Sequence, residues 1–249
     1  MSRQGIQSVE IGLRILEAVS SAGKPVPLKE IALAAGLPAS QTHKYLASLI
    51  SGGMVRQNDM SGQYDLGPAA VRVGLSAIAR QDAIEIAADC LRGAVKDTGR
   101  MGLLSVMGPH GATVIRIFMG DPAFVTNLTL GTVLPLTHSA TGYIFLSFMQ
   151  PSQIQGLLDD ELAKDKAKEN FDGKSVVAEV VKNGFACVDN VLIPGLRAHA
   201  VPIFNLQREV TAVATLVASE SFSRKNDETS LAVLRNYCTQ ASARLGGAA

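Results

Sequence analysis

The sequence predicts an α/β (α+β) chain in two parts: a small helical unit carrying a β-hairpin, then a larger mixed unit. Three observations predict it. Leu28 to Ile50, LKEIALAAGLPASQTHKYLASLI, reads as two short helices joined by a tight turn. Met54 to Leu66 alternates apolar and polar residues around Ser61-Gly62, the pattern of a hairpin. From Met101 onward, apolar runs bounded by Gly and Pro alternate with helical stretches. At 249 residues the chain fits one large domain or two modest ones. Its 47% hydrophobic and 18% charged residues supply packed cores and argue against disorder.

The elements follow in order. Ser8 to Ser21 predicts an amphipathic helix, N-capped by Ser8, with a stripe of Val9, Gly12, Leu13, Leu16 and Val19. Gly23, Pro25 and Pro27 break it. In Leu28 to Ala35 the residues Leu28, Ile31, Ala32 and Ala35 share one face, and Gly36 stands where a helix end favours a left-handed residue. Pro38 sits at the start of the next helix, where its missing N–H costs nothing. That helix buries Thr42, Tyr45 or Leu46, Leu49 and Ile50, and leaves Ala39, Ser40, Gln41, His43, Lys44 and Ala47 on other faces. Gly52-Gly53 ends it. Three helices and a hairpin make a winged helix-turn-helix over residues 1–67. Gly67-Pro68 opens a connector helix, Ala69 to Ala79, within residues 68–81. Asp82 caps the following helix, Ala83 to Lys96, and starts the second unit, 82–249.

In the second unit MGLLSVM and ATVIRIFM flank Gly108-Pro109-His110-Gly111, a strand–turn–strand signal. Phe124 to Leu130 is expected as a third strand. Ser139 to Phe148, Ser152 to Leu162 and Ser175 to Lys182 are expected as helices. His199 to Phe204 and Val210 to Ser219 are expected as strands joined at Asn205 to Arg208, and Ser223 to Leu245 as a closing helix.

Several function classes are disfavoured. Cys90, Cys187 and Cys238 are odd in number and far apart, without a CxxC, so neither a zinc ribbon nor a disulfide framework is expected. The N-terminus has no apolar signal core and no run is long enough to span a bilayer, so a cytoplasmic location is expected. No GxSxG, HExxH, EF-hand loop or dinucleotide fingerprint occurs, and Gly173-Lys174-Ser175 lacks the first glycine of a phosphate loop, with Lys168 in its place. No enzyme, catalytic residue, cofactor or metal is expected. An enzyme acting on a small organic acid and a protein-binding winged helix remain the competing classes.

Charge supports a nucleic-acid partner locally rather than globally. The formal net charge is only +1, whereas a basic domain is the usual footprint. Yet Ile31 to Asn58 contains no acid while His43, Lys44 and Arg56 are present, which removes repulsion from phosphates. Ser40, Gln41 and Lys44 lead the second helix of the pair. Gln41 suits adenine, Ser40 a phosphate or base edge, and Lys44 a phosphate or guanine. Thr42 and His43 are further candidates, Thr42 half buried. Arg56 and Gln57 lead into the wing, which carries Asn58, Ser61 and Gln63. Arg3 can act as a minor-groove arm. Double-stranded DNA is the expected partner.

These blocks also carry a resemblance. QSVEIGLRILEAV, the helix-turn-helix and the wing ending in QYDLG resemble the DNA-binding domain of the IclR family of bacterial transcription regulators. Downstream, GTVLPLTHSATG and NGFACVD followed by GLRAHAVPIF resemble that family's later signatures. The resemblance implies a GAF-like effector domain, a homodimer through the N-terminal and connector helices, often paired into a homotetramer, and a small-molecule effector. It places the effector at Ser139, Ala140 and Thr141, whose N–H groups would open a helix. It adds the face shared by Leu196, Ala198 and Ala200, and Thr215 and Val217 on the next strand. Asp189 stands where the family often has an acid. Arg116 can meet a carboxylate or face outward. His138 and His199 read as structural histidines.

The chain departs from the family pattern at four places. Thr137 replaces a usual histidine, Ala198 a frequent cysteine and Tyr143 a frequent lysine, and Asp189 is what remains of an acidic pair. Small groups at Ala140 and Ala198 imply a roomier, less polar pocket, and therefore an aromatic or larger organic acid over a short keto acid. Such a regulator would serve aromatic acid catabolism.

Overall fold

The computed structural model describes residues 5–78, 82–164 and 171–247. Arg3 and residues 79–81 of the expected connector lie outside them. Contacts divide the chain into two compact units, Met1–Gln81 and Asp82–Ala249.

The first unit is three helices, a hairpin and a further helix: α1 (Gln7–Ser21), α2 (Leu28–Ala35), α3 (Ala39–Ser51), β1 (Val55–Gln57), β2 (Tyr64–Leu66) and α4 (Pro68–Ile78). Its core joins Ile11, Ile15 and Val19 of α1 to Ile31, Ala35, Leu46, Val55 and Tyr64. The buried stripe of α1 matches the expected one only at its end, where Val19 is buried and Leu16 packs on the core; Val9 and Leu13 are 53% and 61% exposed, and Ile11 and Ile15 take their place. The helix carries two apolar stripes, and periodicity alone does not choose between them. Ser8 is not the cap either; Ile6 holds that position without a side-chain bond.

Gly36 ends α2 in the left-handed region, and Pro38, extended, leads directly into α3. Gly53 adopts φ +69 beyond α3. Gly67 is required by space, since a Cβ there would lie 2.2 Å from the Gly53 carbonyl oxygen. The hairpin pairs Arg56 with Asp65 and Gln57 with Tyr64. Val26 adds a bridge that sequence reading missed. Its N–H donates to the Tyr64 carbonyl and its own carbonyl accepts the Tyr64 N–H in return, at 2.9 and 2.8 Å. Prolines on both sides hid this residue.

The second unit is a six-stranded antiparallel sheet with helices on both faces. Its elements are α5 (Ala83–Thr98), β3 (Met101–Gly108), β4 (Gly111–Phe118), β5 (Val133–Leu134), α6 (Ala140–Phe148), α7 (Pro151–Lys164), α8 (Gly173–Asn183), β6 (Ala186–Asp189), β7 (Leu196–Phe204), β8 (Val210–Ser219) and α9 (Asp227–Arg244). The strand order is β5-β4-β3-β8-β7-β6. Asp82 caps α5 through bonds from the Ile84 and Glu85 N–H groups, both 3.1 Å.

Phe124 to Leu130 is not a strand. Phe124 and Leu128 pack onto the core from an irregular segment, and β5 takes the edge of β4 instead. β6 was not foreseen, and β7 begins at Leu196 rather than His199.

Strand alternation sorts the core. Leu104, Val201, Ile203, Ala212, Ala214 and Leu216 pack against α5 and α9. Met101, Leu103, Ala200, Val213 and Val217 pack against α6, α7 and α8. The α9 side also holds a buried ion cluster. Arg100 reaches Asp227 at 2.6 Å and Arg197 reaches it at 2.9 Å, with both guanidinium groups almost wholly buried. Burial raises the Asp227 carboxyl, but hydrogen bonds from Arg100 and Arg197 outweigh it and hold the group below its ordinary range.

Candidate DNA interface and ligand cavity

The turn between α2 and α3 determines what α3 presents. Ser40, His43 and Lys44 are exposed along its leading half, and Gln41 is half-buried beside them. Thr42 is the exception among the expected contacts. It is fully buried, and its hydroxyl donates to the Pro38 carbonyl at 3.0 Å, so it anchors the helix start rather than facing a ligand.

In the wing, Arg56 is held by Asp65 at 2.7 Å but stays largely exposed. The Gln57 amide donates to the Gly62 carbonyl at 2.9 Å, and the Asn58 side chain accepts the N–H groups of Met60 and Ser61. Gln63 is half-buried. The wing is thus a stiff turn with one cation already neutralised, which leaves Lys44 and His43 as the basic groups of the α3 face.

The second unit encloses a cavity between α6, the sheet and two covering segments. Ser139, Ala140 and Thr141 line it from the α6 start, Leu196 and Ala198 from β7, and Thr215 and Val217 from β8. Ser139 caps α6, accepting the Gly142 N–H at 2.9 Å and donating to the Pro135 carbonyl at 2.7 Å. Thr141 and Thr215 join their hydroxyls at 2.8 Å. Among the described residues, the N–H groups of Ala140 and Thr141 have no acceptor. They are the unsatisfied donors of a helix start, suited to an anionic oxygen. Gly142 lets the preceding loop approach, because a Cβ would lie 2.2 Å from the Pro135 oxygen.

Asp189 and Arg116 stand elsewhere. Asp189 points away on the opposite face of β6, paired with Arg224, which holds its carboxyl below the usual range. Arg116 pairs with Glu85 of α5 at 2.8 Å. Sequence reading missed Leu103, Leu128, Leu134, Val188, Leu192 and Ile193, which complete the walls. Val188 was detectable from alternation along β6; the two covering segments carry no periodic signal. The cavity measures about 40 Å³, room for a few waters. Leu128, Leu192 and Ile193 line the cavity together with the small Ala140 and Ala198, so it is not the roomy pocket expected from those alanines.

Thr137 and Tyr143 lie outside the cavity. The Thr137 hydroxyl is bonded to Glu161 and to His138, and Tyr143 stacks on Phe171. His199 sits on the α9 side with its Nδ1 unpartnered. Burial, with Arg100 nearby, lowers its pKa, so it is neutral at pH 7.

Comparison with known proteins decides the assignment. The model of the IclR helix-turn-helix domain matches residues 8–59, and that of the bacterial transcriptional regulator IclR C-terminal domain matches residues 75–243. This chain belongs to the IclR family. The acetate operon repressor of Salmonella typhimurium is 29% identical over 229 residues, covering 90% of this chain and 83% of the relative. The transcriptional repressor IclR of Escherichia coli is 28% identical over the same length and shares. The crystal structure of Pseudomonas aeruginosa HmgR is 30% identical and superposes with a TM-score of 0.87, covering 97% of this chain and 99% of that one.

This IclR-family member is therefore a transcription regulator with an N-terminal helix-turn-helix DNA-binding domain and a C-terminal mixed α/β domain, and its relatives are regulators rather than enzymes. Among the described residues, no helix is long and apolar enough to cross a membrane, and no group of three or more His, Cys, Asp or Glu can hold a metal ion.

Proposed function

We propose that this regulator represses or activates transcription from a pseudo-palindromic operator in response to a small organic acid held in the cavity at the start of α6. The observation that carries the proposal is the pair of unused N–H groups of Ala140 and Thr141 at a cavity walled mainly by Leu, Val and Ile, with the hydroxyl residues Ser139, Thr141 and Thr215. The carboxylate would sit on those dipoles and the body against the apolar wall. That wall favours an aromatic or larger apolar acid. A cavity of about 40 Å³ favours the second reading, a short keto acid, unless the covering segments at Leu128 and Leu192–Ile193 give way.

Ser40, Gln41, His43 and Lys44 would read and grip the major groove, with Arg56, Gln57 and Gln63 at the wing. Ile6 before α1, Val9 and Leu13 of α1 and Val71, Val73 and Leu75 of α4 are all exposed, and these apolar side chains support assembly of a homodimer, and of a homotetramer from it. A ligand that prefers one arrangement of the assembly would shift its population. A cytoplasmic location follows from this role.

A thermal-shift screen of aromatic acids against two- and three-carbon keto acids tests the sensor half, since a ligand of the native state raises its melting temperature. A shift from one class, abolished by Ala198→Phe, supports that class. No shift from either, or a shift that survives Ala198→Phe, removes the cavity as the effector site. For the DNA half, Gln41→Ala should weaken operator binding by roughly 1–3 kcal/mol and leave the effector midpoint unchanged, as read by fluorescence anisotropy. Equal loss of both would contradict the division of labour.

A further inference from the structure

At the other end of α6 the sheet carries a second recess. It is a cleft of about 380 Å³ where α9, the end of β7 and the last residue of α6 meet. Phe148 and Phe204 form one wall, edge to face with centroids 5.3 Å apart. Arg208 and Arg235 stand at its rim, Arg208 on the β7–β8 turn and Arg235 on α9. Among the described residues, no acidic side chain lines it.

The two arginines differ from those that a carboxylate claims. Arg56, Arg92, Arg100, Arg116, Arg197 and Arg224 each pair with a carboxylate. Among the described residues, Arg208 and Arg235 do not; Arg235 instead lies over the Phe185 ring, 5.4 Å from its centroid. Arg208 also holds a left-handed backbone, φ +63, which a non-glycine residue adopts at a cost.

The backbone in the cleft argues against an added peptide strand. β6 begins opposite Ala200, so Val201 to Phe204, paired with β8 on one side, have no strand beside them on the other. Strand addition works through main-chain donors. Here Pro202 has no N–H, and the Phe204 N–H is already given to the Ser242 hydroxyl at 3.0 Å. What remains on offer is two guanidinium groups, which bind carboxylate, sulfonate or phosphate oxygens, and two phenyl rings, which stack flat apolar groups.

We propose that this cleft binds a small organic anion with a flat aromatic body, at a site separate from the cavity at the start of α6. The nine residues of α6 span about 13 Å and place one end at each site, Ser139–Thr141 at the cavity and Phe148 at the cleft. Occupation of the cleft is thereby felt by the helix whose start faces the cavity.

The test uses the full-length protein with Ala198→Phe, which closes the cavity, and 2-naphthoate as probe, titrated by calorimetry. Naphthoate should bind this variant. Adding Arg208→Gly, which suits the left-handed backbone, or Arg235→Gln should each weaken binding about tenfold. Inorganic phosphate should compete poorly, because it lacks the apolar body. Absence of naphthoate binding to the Ala198→Phe protein overturns the proposal. So does binding that survives the combined Arg208→Gly and Arg235→Gln changes, or phosphate competing as well as naphthoate itself. A naphthoate site present in the wild type and lost in Ala198→Phe would belong to the cavity and leave the proposed effector site standing without this one.

Discussion

On the α9 side of the sheet, Arg197 and His199 of β7 lie among Val201, Ile203, Ala214 and Leu216, sealed under α5 and α9. On the α6 side, Leu196 and Ala198, their immediate neighbours in the chain, border a cavity. Consecutive residues of one strand thus serve opposite purposes. The cations are spent inside the sealed face, where Asp227 neutralises Arg100 and Arg197. Among the described residues, no cation lines the cavity, only hydroxyls and N–H dipoles against hydrocarbon. A carboxylate bound there would be held by oriented dipoles in a dry site, so its binding should respond weakly to salt.

The largest expected effect breaks the sealed face. Asp227→Asn leaves two buried guanidinium groups with no counter-ion, and removing one partner of such a cluster costs about 3–5 kcal/mol. Urea denaturation should show it as a large fall in midpoint; a variant as stable as the parent would mean that the cluster is solvated.

The second prediction sets the two faces directly against each other. Ala214 is fully buried between strands and helices, so Ala214→Phe should cost about 1–3 kcal/mol or more by overpacking. Ala198→Phe points into the cavity and should cost less, while abolishing any ligand-induced thermal shift. Equal destabilisation of the two would erase the distinction between a filled and an open face.

The smallest effect is in the pH dependence. Burial and Arg100 lower the His199 pKa, with Arg197 acting in the same sense and Asp227 against it. Below about pH 6.5 the unfolded chain takes up a proton that the folded chain resists. Stability should therefore fall as pH drops through this window, by at most about 1.4 kcal/mol per pH unit for one group. Asp227 acts in the same direction further down, its contribution being present above pH 3.8 and lost as pH falls through its lowered folded value. Urea midpoints across the window should slope for the parent and flatten for His199→Gln.

Much of this architecture is legible in the chain because it is local. Leu28 to Ala35 is a helix at the expected residues, since Ile31, Ala32 and Ala35 set its face and Gly36 its end. Asp82 and Ser139 cap helices because their side chains reach N–H groups two or three residues away. The faces of β7 and β8 follow from alternation, which is why residues chosen from sequence lie together around one cavity.

What was not legible depends on distant partners. The phase of α1 is decided by Ile31 and Leu46. Arg116 is claimed by Glu85, and Asp189 by Arg224, 35 residues later. The cluster at Asp227 joins residues 127 positions apart. Phe124 to Leu130 has strand-like alternation but finds no edge, because Val133–Leu134 occupies that of β4.

The borders of the large sheet carry a consequence for the molecule in a crowded cell. One border is β5, two residues long, and the other is β6, four residues long. Long, flat, unpaired borders recruit other chains and seed aggregates. Borders this short offer few rungs to a second molecule, and growth of the sheet from copy to copy would have to start from the ends of β4 and β7 that they leave uncovered. An assembly made through helices instead, as proposed above, would have side chains able to specify a closed form over an open-ended one.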